Sequence, residues 1–257
     1  MELAALYEQW KSLMIAGENL PFHQEFFVKF YQAFLENDRW TQYLKGVGTT
    51  LLTTAMALAL GIVLGVLVAM VRTAHDQQRL GHRNPVLGFV NAICKVYVTV
   101  IRGTPMMVQL LIMGLVIFKS SRNFAAVGAL TLGINSGAYV AEIIRGGLMS
   151  LDPGQSEAGR SLGLNYIDTM RFIVIPQAFK AILPALGNEF IILLKDTSLI
   201  AMIGGKELLY AAQGIYGRTY EAMFPLLGTA AIYLVLVMIF TWLQGKLERR
   251  LRQSDRR

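Results

Sequence analysis

Pro153-Gly154-Gln155-Ser156-Glu157-Ala158-Gly159-Arg160-Ser161-Leu162-Gly163-Leu164-Asn165-Tyr166-Ile167-Asp168-Thr169-Met170-Arg171-Phe172-Ile173-Val174-Ile175-Pro176 is a polar stretch set between two long apolar segments. Glu157, Arg160, Asp168 and Arg171 alternate with Leu162, Leu164, Ile167 and Met170. That pattern suits a short amphipathic helix, placed here over residues 157–167, better than a loop or a membrane span. Such a helix lies against something outside a bilayer.

What flanks it fixes the class. The chain has 257 residues, 54% hydrophobic and 16% charged, with a mean hydropathy of +0.46. It is too apolar for an ordinary soluble domain and too interrupted for disorder. A span needs roughly 20 apolar residues, so the length suits about five membrane helices in one all-α, polytopic domain. The formal charge of +7 would suggest nucleic acid in a soluble protein, but here basic residues mainly set orientation. Cys94 is the single cysteine, and His23, His75 and His82 fall outside the apolar segments, so no metal-ligand spacing arises. The first long apolar run begins near Val47, behind a charged segment, which argues against a cleaved signal peptide.

Residues 1–46 read as an extracytoplasmic, interfacial segment, because Phe27, Phe30, Tyr31 and Phe34 recur at helical spacing and make one aromatic face. Residues 47–243 form the membrane domain, with spans predicted near 48–71, 106–118, 124–148, 179–203 and 224–243. The first span holds Gly61 and Gly65, four apart, a spacing that lets helices approach closely inside the bundle. Residues 85–101 read as an elbow helix along the inner face, separated from the second span by Arg102-Gly103-Thr104-Pro105. Arg72, Arg79 and Arg83 outweigh Asp76, which puts that loop inside and the amino terminus outside. The polar loop of residues 150–178 is then also inside, and residues 205–221 make an outer connection. Residues 244–257, rich in arginine, form a basic cytoplasmic tail.

The intramembrane polar residues are the candidate binding groups. Asn135, Tyr139 and Glu142 fall within one narrow arc of a helix that turns about 100° per residue, with Ser136 beside them and Arg145 one turn on. A charged group in hydrocarbon costs about 2.5–3.5 kcal/mol on insertion scales, so this stripe faces a cavity or a partner helix. Two arrangements fit: the stripe lines a substrate path, or Glu142 pairs with Arg145 while Asn135 bonds a neighbouring helix. The fourth span adds Asn188, Glu189, Lys195, Asp196, Thr197 and Ser198, and the second span offers Gln109. Asn135, Ser136, Tyr139, Glu142, Asp196, Thr197, Ser198 and Gln109 are therefore the predicted substrate contacts. Acid, hydroxyl and amide groups together suit a zwitterion, whose charged ends must replace lost water. The Gly204-Gly205-Lys206-Glu207 piece lacks the upstream glycine and the Ser or Thr of a phosphate loop, so ATP-driven work requires another protein.

Three motifs carry a family resemblance. Glu157-Ala158-Gly159, then Gly163, then Ile and Pro176, resembles the cytoplasmic coupling loop of ABC-importer permeases, whose pattern begins Glu-Ala-Ala; Gly159 stands in place of the second Ala. Arg102-Gly103-Thr104-Pro105 and the Leu-Leu-Lys-Asp-Thr-Ser-Leu run of residues 193–199 are similar to the polar-amino-acid members, the histidine, glutamine and arginine type. The resemblance implies a type I permease subunit paired with a copy of itself or a sister subunit in the bacterial inner membrane. It also implies two ATPase subunits docked at the coupling loops, an extracytoplasmic amino-acid-binding protein, and a polar amino acid as substrate. Glu157, Ala158, Gly159, Gly163 and Pro176 would then be the ATPase-coupling residues, with no cofactor and no catalytic residue in the chain. An ion-coupled secondary transporter or channel would use the same acids differently but leaves the coupling loop unexplained. A membrane enzyme lacks a nucleophile with a nearby histidine.

Overall fold

A computed structural model describes residues 2–78 and 84–254; Arg79, His82 and Arg83, named above, and the last three residues of the basic tail lie outside the described residues. The long helix α3 (Trp40–Asp76) is the spine. At 1.5 Å per residue it is about 55 Å long, well beyond the ~30 Å of a hydrocarbon core. It therefore outruns the predicted span at both ends. Its buried residues are almost all small: Gly46, Thr50, Thr54, Ala57, Gly61, Gly65 and Ala69 follow one another at three- or four-residue steps. The later part of this stripe lies on α6 (Phe124–Met149), whose Gly133, Ser136, Gly137 and Val140 meet α3 in return, while Gly46 and Thr50 lie against Leu208. In lipid, where apolar side chains gain nothing by leaving the solvent, close backbone approach is what holds helices together. The glycines at 61 and 65 thus serve packing within the chain, against Ser136 and Val140.

Around this pair stand α4 (Pro85–Gly103) and α5 (Met106–Leu111), the latter continuing as a π-helical stretch over Ile112–Ile117. Asn84 caps α4 by accepting from the amides of Val86 and Leu87, and Pro85 sits in the first turn, where its missing N–H costs nothing. Thr104 and Pro105 are extended, so the helix stops at Gly103 and restarts at Met106. Helix α9 (Ile175–Asp196) runs on into a 3-10 segment, Thr197–Ile203, that ends at Gly204 with φ +85°. Ala57, Leu110, Val127, Leu132, Leu193, Ile200 and Ile203 meet in the main core. Helices α3, α4, α6 and α11 (Met223–Ser254) are long and apolar enough to cross a membrane, and Met106–Ile117 is a shorter apolar helix. The fourth predicted span differs from these because α9 carries Lys180, Glu189, Lys195 and Asp196.

Two regions differ from the sequence reading. The amino-terminal segment holds two helices, α1 (Glu2–Ile15) and α2 (Phe22–Phe34), where one was predicted. Its aromatic face is largely spent on protein contacts: Tyr7 stacks on Tyr31 at 4.3 Å, Trp10 meets Phe27 edge-on at 5.4 Å, and Phe34 packs 5.5 Å from Tyr43. Phe26 and Phe30 close on Phe224 at the start of α11, and Lys29 bridges to Glu221 at 3.3 Å. The predicted helix over 157–167 is divided into α7 (Pro153–Ser161) and α8 (Tyr166–Thr169). Gly163 at φ +82° breaks it, with the Gly163 amide bonding Arg160 and the Leu164 amide bonding Gly159, a glycine-ended helix stop. Asn165 then caps the second piece by accepting from the Asp168 amide. The connection of residues 205–221 contains a further helix, α10 (Leu208–Thr219), capped by the buried Glu207.

Candidate functional site

The stripe on α6 faces the break between α4 and α5. Asn135 Nδ2 donates to Gln109 Oε1 at 3.0 Å, and Gln109 Nε2 donates to Thr104 Oγ1 and to the Ile101 carbonyl, each at 2.7 Å. Gln109 therefore ties the stripe to the elbow backbone exposed by Pro105. Further along α4, the Tyr97 hydroxyl donates to the Ile134 carbonyl at 2.5 Å. One turn beyond Asn135, the Tyr139 ring lies under the Arg102 guanidinium, 5.2 Å from its centre. At the end of the stripe Glu142 collects three arginines. Arg72 of α3 pairs with Oε1, Arg145 Nη2 reaches Oε2 at 3.1 Å, and Arg102 Nη1 stands 3.9 Å from Oε2. The elbow and the stripe make one polar column, running from Asn135 to Arg72.

Ser136 points to the other side. Its Oγ donates to Glu189 Oε1 of α9 at 2.8 Å, and Glu189 is only 6% exposed. Thr197 and Ser198 turn their hydroxyls back onto the carbonyls of Leu194 and Lys195, as residues at a tightening helix end do. Of the predicted contacts, the fold brings together Gln109, Asn135, Tyr139 and Glu142. It places Ser136 with Glu189, and leaves Asp196, Thr197 and Ser198 on a separate turn where α9 ends. Arg72, Arg102, Thr104 and Glu189 were not among the predicted site residues. Arg102 and Thr104 had a signal, since they stand in the Arg-Gly-Thr-Pro motif, but the motif was read as a helix break and a family resemblance, not as a set of site residues. Among the described residues no group of His, Cys, Asp and Glu could hold a metal ion. One cavity of about 340 Å³ lies between α3, α6 and α9, but its lining, Val66, Met70, Ile144, Phe179 and Ile182 among others, is apolar.

The polar segment that follows the carboxyl end of α6 is open. Glu157, Ala158, Leu162, Gly163, Tyr166, Ile167 and Pro176 are all exposed, Leu162 and Ile167 by 80% and 71%. Gly159 is buried instead: a Cβ there would stand 2.9 Å from Thr169 Cγ2 and 3.0 Å from Ile173 Cδ1. A glycine at 159 thus lets α7 close onto α8 and the π-helical stretch Met170–Val174 that leads into α9.

This is an all-helical, multi-pass membrane protein with a polar column inside it and an exposed amphipathic segment outside it. Residues 61–253 match the family described as binding-protein-dependent transport system inner membrane component, and the chain belongs to that family. Family members are permease subunits rather than enzymes, and the fold is that of a type I ABC-importer permease. Similar proteins include a glutamine transport system permease protein of Escherichia coli (strain K12), 34% identical over 81% of this chain and 92% of its own length. An arginine transport system permease protein of Bacillus subtilis (strain 168) is 35% identical over 82% of this chain and 93% of its own. A crystal structure of an amino acid ABC transporter with histidines superposes with a TM-score of 0.74 at 39% identity, covering 84% of this chain and 98% of that one. Helices α1 and α2 precede the matched region.

Proposed function

We propose that the chain is the transmembrane permease subunit of an ATP-driven, binding-protein-dependent importer of polar amino acids. The single observation that carries this is the polar column of Gln109, Asn135, Tyr139 and Glu142, closed by elbow and stripe inside a largely apolar bundle. Its neighbours in sequence space, named for glutamine and arginine, support the substrate class. Substrate meets Gln109, Asn135, Ser136, Tyr139, Glu142, Asp196, Thr197 and Ser198 as the spans rock between outward and inward openings. A second permease subunit completes the path, and a soluble binding protein delivers substrate from outside. Residues 1–46 form the extracytoplasmic segment, 47–243 the membrane domain and 244–257 the cytoplasmic tail, in the bacterial inner membrane.

Two ATPase subunits supply the force at the segment of residues 150–178. Glu157, Ala158 and Pro176 present the contact, the apolar side chains of Leu162 and Ile167 fit a cleft, and Gly159 and Gly163 set the shape. The space around Gly163 is open, so a side chain fits there, but its left-handed φ disfavours any β-carbon. The test is the ratio of uptake to ATP hydrolysis in the reconstituted complex. Glu157→Lys and Gly163→Leu should each lower it by about tenfold, the size of a typical coupling energy. Both variants transporting with the native ratio, at normal expression, would remove the segment from the coupling role.

A further inference from the structure

We propose that Arg102 is the residue that receives the substrate's α-carboxylate, an inference that rests on the amino-acid reading given above. Three guanidinium groups surround one carboxylate in this cluster, which leaves two positive charges in excess. Among the described residues no second acid pairs with Arg72, Arg102 or Arg145. Excess charge flanked by apolar helices is costly unless an anion joins it.

The three arginines are not equivalent. Arg72 and Arg145 already hold one oxygen each of Glu142 by direct hydrogen bonds. Arg102 comes no closer than 3.9 Å, outside hydrogen-bond range, and its side chain is 43% exposed. Its planar fork of donors is therefore open on the edge away from Glu142, and such a fork matches a carboxylate with two parallel bonds. The guanidinium also rests on the Tyr139 ring, in the middle of the stripe that begins at Asn135. Gln109 fixes its origin, because it bonds the carbonyl of Ile101 and the hydroxyl of Thr104 on either side of the Arg102-Gly103 pair. Gln109 is thus a positioning residue for Arg102 as well as a partner of Asn135. Acids and amides elsewhere on the path are left to take the amino group and the side chain.

The experiment uses the full permease and ATPase complex without the binding protein, so that only the permease selects. Equilibrium binding is measured for labelled L-arginine, L-glutamine and L-histidine, each against the amine that lacks its carboxyl group. The native complex should prefer the amino acid to the amine, and Arg102→Gln should weaken the amino acid at least about tenfold, the value of one hydrogen bond to a charged group. The amine's binding should not change, so the preference collapses, and Arg102→Lys should fall between. A merely structural role would weaken acid and amine alike and lower the melting temperature. That result, or native affinity in Arg102→Gln, overturns the proposal. If Arg102→Gln does not assemble, Arg102→Lys carries the test, and native-like preference in it overturns the proposal equally. A native complex that binds none of the three amino acids refutes the transport reading itself, whereas binding without preference over the amines refutes only the role of Arg102.

Discussion

Gly65 decides how closely α3 can lie on α6. A Cβ built there would stand 2.5 Å from Val140 Cγ1 and 2.6 Å from its Cβ, and Val140 is wholly buried. Gly65→Ala should therefore cost about 1–3 kcal/mol as an overpacked core, read as a lower melting temperature of the purified permease. An unchanged melting temperature would mean the helices are further apart than described. Glu142 poses the opposite problem. Glu142→Gln leaves three arginines facing each other without their anion. Removing one member of a fully buried pair costs about 3–5 kcal/mol, and this site is partly open, so about 2–3 kcal/mol is expected in the same assay. A variant as stable as the native protein would show that the arginines do not depend on Glu142.

At the scale of elements, the amino-terminal hairpin is held by one small ionic knot. The Tyr7 hydroxyl and Lys11 reach Glu36 Oε1 at 2.7 and 2.6 Å, and Arg39 Nη1 reaches Oε2 at 2.7 Å. Burial pushes the Glu36 carboxyl up, but the hydrogen bonds from Lys11 and Tyr7 and the nearby Arg39 outweigh it, so the group titrates below its ordinary 4.5. Burial and the Glu36 contact push the Tyr7 hydroxyl up to about 12. A carboxyl depressed in the folded state contributes stability that is complete above its unfolded value and is lost as pH falls through the folded one. The protection of the α1 and α2 amides, their exchange relative to the intrinsic rate at each pH, should thus be unchanged from neutrality down to about pH 5 and fall below the ordinary carboxylate range. Glu36→Gln should show the lowered protection already at neutral pH; protection that is the same in both proteins at both pH values would sink the knot. The same scale explains the divided polar segment of residues 153–176. Periodicity ran through Gly163 because its neighbours kept the apolar spacing, whereas one left-handed residue suffices to end a helix.

For the whole molecule, the predicted orientation can be tested with the chain's own cysteine economy. In a Cys94→Ser background, Glu18→Cys in the turn between α1 and α2 should react with a membrane-impermeant maleimide in intact cells. Gln155→Cys in α7 should react only after the membrane is opened. The reverse pattern would invert the orientation and place the coupling segment on the wrong side for an ATPase.

Hydropathy located the long apolar helices, since each must satisfy its backbone internally and stay apolar for its length, but it read 85–101 as an elbow where α4 is long and apolar enough to cross, and 179–203 as a span where charged α9 is not. The Pro105 break and the polar stripe on α6 were legible because helical period and turn chemistry act over a few residues. What needed the tertiary structure was partnership across the chain. Arg72 and Glu142 are far apart in sequence, as are Ser136 and Glu189, and no local pattern marks such pairs. Only the seating of the small-residue stripe of α3 on α6, with the elbow folded against both, gathers three arginines around one acid, because burial of charge is settled by which helices come to lie side by side.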